Sequence, residues 1–142
     1  MIKNFYYCLL IFLIFAGCTD EGTYNPPDYS NAKQMTISFS WPSDYGKCFE
    51  LRNPEIKISD IPEGTEYFSV SVIDVRNNNY NHGGGTVYNR GKGVIAYGTL
   101  GEYHGPCPSK SPHGYGIYEF TVLGYNSSDE VIGIGSCSKE FP

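Results

Sequence analysis

The stretch Tyr67-Phe68-Ser69-Val70-Ser71-Val72-Ile73-Asp74-Val75 alternates without a break. Phe68, Val70, Val72 and Asp74 fall on one face, and Tyr67, Ser69, Ser71, Ile73 and Val75 fall on the other. That is the period of two a β-strand imposes. β-Branched and aromatic residues fill the run and no Gly or Pro interrupts it, so it predicts a central strand. Working outward, residues 35–41 repeat the alternation and residues 55–58 repeat it again over a shorter span. Ile61-Pro62-Glu63-Gly64-Thr65 reads as a turn, because Pro fixes φ and Gly tolerates positive φ. Residues 118–125 and 131–137 are two more strand-like runs. The turn formers Asn126-Ser127-Ser128-Asp129 join them, which predicts a closing β-hairpin. Residues 76–117 are rich in Gly, Asn and Pro, the composition of turns. No helical stripe of three turns occurs, and short strands with turn signals between them predict an all-β sandwich.

Composition agrees. The chain has 142 residues, of which 18% are charged, 40% hydrophobic and 15% aromatic, with 17 Gly and 9 Pro. These values exclude a coiled coil, a long helical bundle and a highly charged disordered chain. The formal net charge of −5 argues against a nucleic-acid partner, which needs a basic face, and against charge-driven adhesion to anionic membranes.

The N-terminus reads as an export signal. Lys3 gives a short positive start, and residues 5–15 are almost wholly apolar. That run is shorter than the ~20 residues needed to span a bilayer. It ends Phe15-Ala16-Gly17-Cys18, which resembles the lipobox of bacterial lipoproteins, with Phe15 where Leu is usual. The resemblance implies cleavage before Cys18 and lipidation of Cys18, so the protein is anchored to the membrane and does not span it. Residues 1–17 are then signal, 18–34 a lipidated Cys and flexible tether, and 35–142 the folded domain. Thr19, not Asp, follows Cys18. In an enteric-type envelope that favours the outer membrane, facing the periplasm.

Of five Cys, Cys8 leaves with the signal and Cys18 takes lipid, so Cys48, Cys107 and Cys137 remain. An oxidising compartment favours one disulfide, and three pairings are open. No Cys-x-x-Cys occurs, and His82, His104 and His113 share no spacing that fixes a common face, so no metal is predicted. There is no Gly-x-Ser-x-Gly elbow, and no Gly-Lys-Ser/Thr follows Gly83-Gly84-Gly85. No cofactor and no catalysis are expected.

Three blocks in order carry a resemblance. The first runs from Pro54-Glu55-Ile56-Lys57-Ile58 through Ile61-Pro62-Glu63-Gly64-Thr65 to Asp74. The second is Asn81-His82-Gly83-Gly84-Gly85. The third is Gly105-Pro106-Cys107-Pro108 with Tyr118-Glu119-Phe120-Thr121-Val122. Together they resemble the phosphatidylethanolamine-binding protein (PEBP) family, in its bacterial branch of Raf-kinase-inhibitor-like proteins, over residues 37–142. The resemblance implies two antiparallel sheets packed as a sandwich, with few short helices. It also implies a small pocket for phosphate-like or carboxylate anions, built from Asp74, His82, Gly105, Pro106 and Tyr118. Two departures stand out. Arg76 replaces the second Asp of the family's Asp-Pro-Asp, and Gly116 stands where the family's His-x-Tyr has its His. Either His113 supplies that second His or the pocket lacks it. In exported members a Cys near position 48 accompanies the Cys of the Gly-Pro-Cys-Pro turn, which implies a Cys48–Cys107 disulfide with Cys137 left over.

His82 can donate from either ring nitrogen. Asp74 is expected to accept a hydrogen bond from His82, fix its tautomer and raise its pKa. Gly83-Gly84-Gly85 is expected to let a ligand approach the backbone closely. The reading is a lipid-anchored envelope protein that binds a small anion or a phospholipid headgroup without chemistry. The alternative is an interaction or inhibitor module with a degenerate pocket and an envelope protein as partner.

Overall fold

The computed structural model describes residues 29–45, 48–107 and 116–141. Cys18, His113, the signal and most of the tether lie outside them.

The alternating stretches become strands whose inward faces meet. Eight strands form: β1 (Lys33–Gln34), β2 (Thr36–Phe39), β3 (Ile56–Ser59), β4 (Tyr67–Asp74), β5 (Tyr80–Tyr88), β6 (Val94–Ile95), β7 (Gly116–Tyr125) and β8 (Val131–Phe141). They make a five-stranded sheet, β1-β8-β7-β4-β5, and a three-stranded sheet, β2-β3-β6. Among the described residues there is no helix. Strand β4 has neighbours on both sides, as its unbroken pattern predicts, although β7 holds the middle of the larger sheet. Phe68, Val70 and Val72 of β4 and Phe120 and Val122 of β7 face Ile37 and Phe39 of β2 and Ile56 and Ile58 of β3. The rings of Phe39 and Phe120 are 4.5 Å apart between the sheets. Burying each such side chain contributes roughly 1.5–3 kcal/mol, which is what holds the two layers together.

The predicted hairpin joins β7 and β8, with Asn126 Oδ1 accepting from Ser128 N at 2.9 Å and Glu130 N at 3.0 Å. The predicted turn is present too, with Gly64 at φ 84° and Thr65 N donating to Pro62 O at 3.3 Å.

The two sheets are antiparallel throughout except at β1, which runs parallel to β8. The larger sheet takes up the chain at Lys33, two residues before the expected start of the domain. Residues 76–117, for all their turn formers, also hold the nine-residue strand β5 and the short β6.

Candidate functional site

One row of side chains crosses three strands at one end of the larger sheet. Tyr80 of β5 pairs with Asp74 of β4, and Asp74 pairs with Tyr118 of β7. Paired residues on adjacent strands share a face, so all three point toward the smaller sheet. His82 joins them because of a β-bulge. Ser71 pairs with Gly84 and Ile73 with Asn81, so His82 and Gly83 together oppose Val72 alone. Gly83 takes φ 74°, and a Cβ there would lie 1.8 Å from Glu102 O. Only Gly fits that position. The bulge leaves Tyr80 and His82 inward before it, and Gly85 and Val87 inward after it.

These side chains line a cavity of about 290 Å³ that is open to solvent. Asp74 and His82 are buried within the sandwich, at 2% and 4% exposure. The His82 ring meets Tyr80 and Tyr118 edge-on, each 5.0 Å away between centroids. Asn77, Cys107 and Phe49 complete the lining. A second hollow, of about 550 Å³, shares Phe49 and Tyr80 with the first and continues along Gly83, Glu102 and His104.

His82 Nδ1 is 2.7 Å from His104 O. A carbonyl only accepts, so Nδ1 carries the proton and Nε2 is the basic nitrogen. Burial lowers the His82 pKa from its ordinary 6.5, opposed by hydrogen bonds to the backbone at His104 and Gly105 and by the charge of Asp74. The imidazole is therefore neutral at pH 7. Asp74 Oδ1 accepts from Arg76 N at 3.0 Å. Burial, then the Asp74 charge, raises the Tyr118 pKa, against a lowering backbone hydrogen bond at Cys107. Its hydroxyl is protonated at neutral pH.

The disulfide joins Cys48 to Cys107. Gly105 N donates to Glu50 O at 2.7 Å and Phe49 N to Pro106 O at 3.3 Å, so two loops are pinned together beside the bridge. Phe49 sits at φ 56°. A bulky residue there costs about 1–3 kcal/mol, and such strain clusters at functional sites. Behind this wall the buried Asn53 donates to Pro54 O and Ala96 O and accepts from Leu100 N at 2.8 Å. That network fixes the approach of residues 96–107 to the site.

No known family profile matches the sequence, and no curated protein matches it. A solved structure does match. It is a protein from Chlamydia trachomatis described as a phosphatidylethanolamine-binding protein homolog, with TM-score 0.50 and 18% identity, covering 80% of this chain and 99% of that one. The chain has the PEBP fold.

Asp74, His82 and Tyr118 converge on one cavity. Gly105 and Pro106 do not line it; they brace it through Glu50 and Phe49. Cys48 and Cys107 form the predicted bridge, and Cys137 is in no disulfide. The expected hydrogen bond from His82 to Asp74 is not made. His104 O takes the His82 proton, Arg76 N takes the Asp74 oxygen, and burial outweighs the pull of Asp74 on the imidazole. The expectation for Gly83-Gly84-Gly85 is also corrected. The space a Cβ would fill at Gly83 and Gly84 is taken by Glu102 O and Val70 O, the protein's own chain and not a ligand. At Gly116 a Cβ would meet the Tyr118 ring at 2.5–2.6 Å, so Tyr118 occupies the place of a side chain at that position.

Sequence reasoning missed Phe49, Asn77 and Tyr80. For the last two a signal existed. Asn78 and Asn79 take φ 50° and 56°, a left-handed pair that Asn tolerates, and the turn they make returns Tyr80 to pair with Asp74. Nothing in the sequence marks Phe49 beyond its place next to Cys48.

Proposed function

We propose that the protein is a non-catalytic, PEBP-type binding protein, held at a bacterial envelope membrane through lipid on Cys18. Its cavity takes a small phosphorylated or carboxylated ligand or a phospholipid headgroup. The observation that carries this reading is the convergence of the buried side chains Asp74, His82 and Tyr118 on one solvent-open cavity of about 290 Å³. That volume is at the small end of ligand sites, suited to a headgroup and not to a drug-sized molecule.

The chemistry follows from the protonation states. Nε2 of His82 accepts a proton when an acidic ligand enters, and the resulting imidazolium donates to the ligand oxygen in a charge-assisted hydrogen bond. The Tyr118 hydroxyl is a second polar group at the same wall. Asp74 repels a bare dianion and rewards a ligand that carries its own cation, such as an ammonium. Tyr80, half-exposed and lining the cavity, offers that cation an aromatic ring. A zwitterionic headgroup satisfies both halves. Anion binding favours protonated His82, so affinity rises as pH falls through the His82 range.

The test is calorimetric titration of the full chain with phosphoethanolamine, repeated with His82→Ala and Asp74→Ala. The reading expects saturable binding that both variants weaken by about tenfold or more. Unchanged affinity in both would remove the cavity from the account. Separately, Cys18→Ser should release the protein from membranes; a variant that stayed bound would remove the lipid anchor.

A further inference from the structure

Strand β5 is the edge of the larger sheet and β6 the edge of the smaller one. Between these two edges, away from the Asp74 cavity, lies a groove of about 520 Å³. Its apolar wall is Val87, Tyr88, Val94 and Ile95. Tyr88 is 80% exposed and Val94 42%, values that leave large hydrophobic side chains in water. Arg90 and Lys92 line the same groove, no Asp or Glu does, and neither cation forms a salt bridge among the described residues. In a chain of net charge −5 this is a positive island.

The main chain of β5 adds a second observation. The segment 102–104 pairs with the first half of the outer edge. Gly84 N donates to Glu102 O at 3.3 Å, Glu102 N to Gly84 O at 3.1 Å, and His104 N to His82 O at 2.8 Å. Alternate residues of a strand turn their N–H and C=O to the same side. Past Gly84 the outward groups therefore belong to Thr86 and Tyr88. Neither residue makes an outward main-chain hydrogen bond among the described residues. An open edge beside exposed apolar side chains is a template for another strand.

We propose that this groove docks an extended, acidic segment of a partner protein, which adds as a strand to β5 at Thr86 and Tyr88. The free main-chain groups select an extended backbone. Alternate side chains of the segment pack on Val87, Val94 and Ile95, and its carboxylates meet Arg90 and Lys92.

The test uses the isotope-labelled full chain in detergent and two eight-residue probes, one alternating valine with glutamate and one alternating valine with lysine. The glutamate peptide should give saturable amide shifts at Thr86, Tyr88 and Val94 and slow hydrogen exchange at Thr86 and Tyr88. Saturating phosphoethanolamine should leave those shifts in place. Arg90→Glu with Lys92→Glu should weaken the peptide by about tenfold or more. Thr86→Pro, which removes one outward N–H while leaving the β4 ladder intact, should weaken it as well. Equal binding of the lysine peptide, or shifts confined to the Asp74 cavity, would overturn the proposal. A dimer through this edge without peptide, or movement of the groove amides on deleting residues 19–28, would overturn it in favour of a second copy or the chain's own acidic segment.

Discussion

Replacing both Cys48 and Cys107 with Ala separates two roles the bridge has. The two residues are 59 apart in sequence, and the closed loop contains β3, β4, β5 and β6. In the loop-entropy model a closure of that length removes about 4 kcal/mol of freedom from the unfolded chain at 25 °C. Domain stabilities are commonly about 5–15 kcal/mol, so this is a large fraction. At about 4–8 °C per kcal/mol for a domain near 100 residues, the midpoint of thermal unfolding should drop by roughly 15–30 °C. The folded site should change less. Gly105 N to Glu50 O and Phe49 N to Pro106 O survive the substitution and hold the two loops in place. The assay is urea unfolding of the oxidised protein and the double variant, with phosphoethanolamine affinity measured on both in buffer. The expected result is a loss of about 4 kcal/mol, a larger urea slope from a more open unfolded chain, and affinity within about threefold. A loss below about 1 kcal/mol would refute the unfolded-state argument. Intact stability with abolished binding would show that the bridge acts on the folded pocket instead.

Three further outcomes are expected. Burial lowers the His82 pKa below its unfolded 6.5, so the unfolded chain binds more protons below that pH. The His82 contribution to stability is complete above pH 6.5 and is lost as pH falls to the folded value; urea midpoints of wild type minus His82→Gln should follow that slope, and a flat difference between pH 7.5 and 5 would contradict it. Gly83→Ala should cost about 1–3 kcal/mol in thermal unfolding, because its Cβ meets Glu102 O and its φ is 74°. Gly116→Ala should push the Tyr118 ring, costing about 1–3 kcal/mol and altering the tyrosine near-ultraviolet dichroism; an unchanged spectrum would mean the ring does not fill that space.

The sequence was most readable where period two ran unbroken. Residues 67–75 and 118–125 gave β4 and β7 nearly to the residue, because both strands bury one face against the same core. Strand β5 was illegible from pattern, and the cause is the bulge. At Gly83 the inward parity changes from even to odd, and three consecutive Gly remove the side chains that would display a period. Its His82 was recoverable only through resemblance. The parallel β1 escaped notice because two exposed polar residues carry no burial pattern. At the site, Asp74, His82 and Tyr118 were legible as types and order, whereas the partners that set their chemistry were not. His104 O and Arg76 N act through the main chain, which no side-chain motif encodes. Phe49 reaches the cavity through a strained backbone next to a disulfide, a tertiary fact with no local signature.

The most direct test of the central claim is a nitrogen-15 titration of the His82 imidazole in the labelled full chain, with phosphoethanolamine and with sulfate, whose charge is constant near neutral pH. Free His82 should carry its proton on Nδ1 and titrate below 6.5, and saturable ligand shifts should raise that pKa, with the Asp74 and Tyr118 amides moving alongside. A His82 resonance indifferent to millimolar ligand from pH 5 to 7.5 would contradict it.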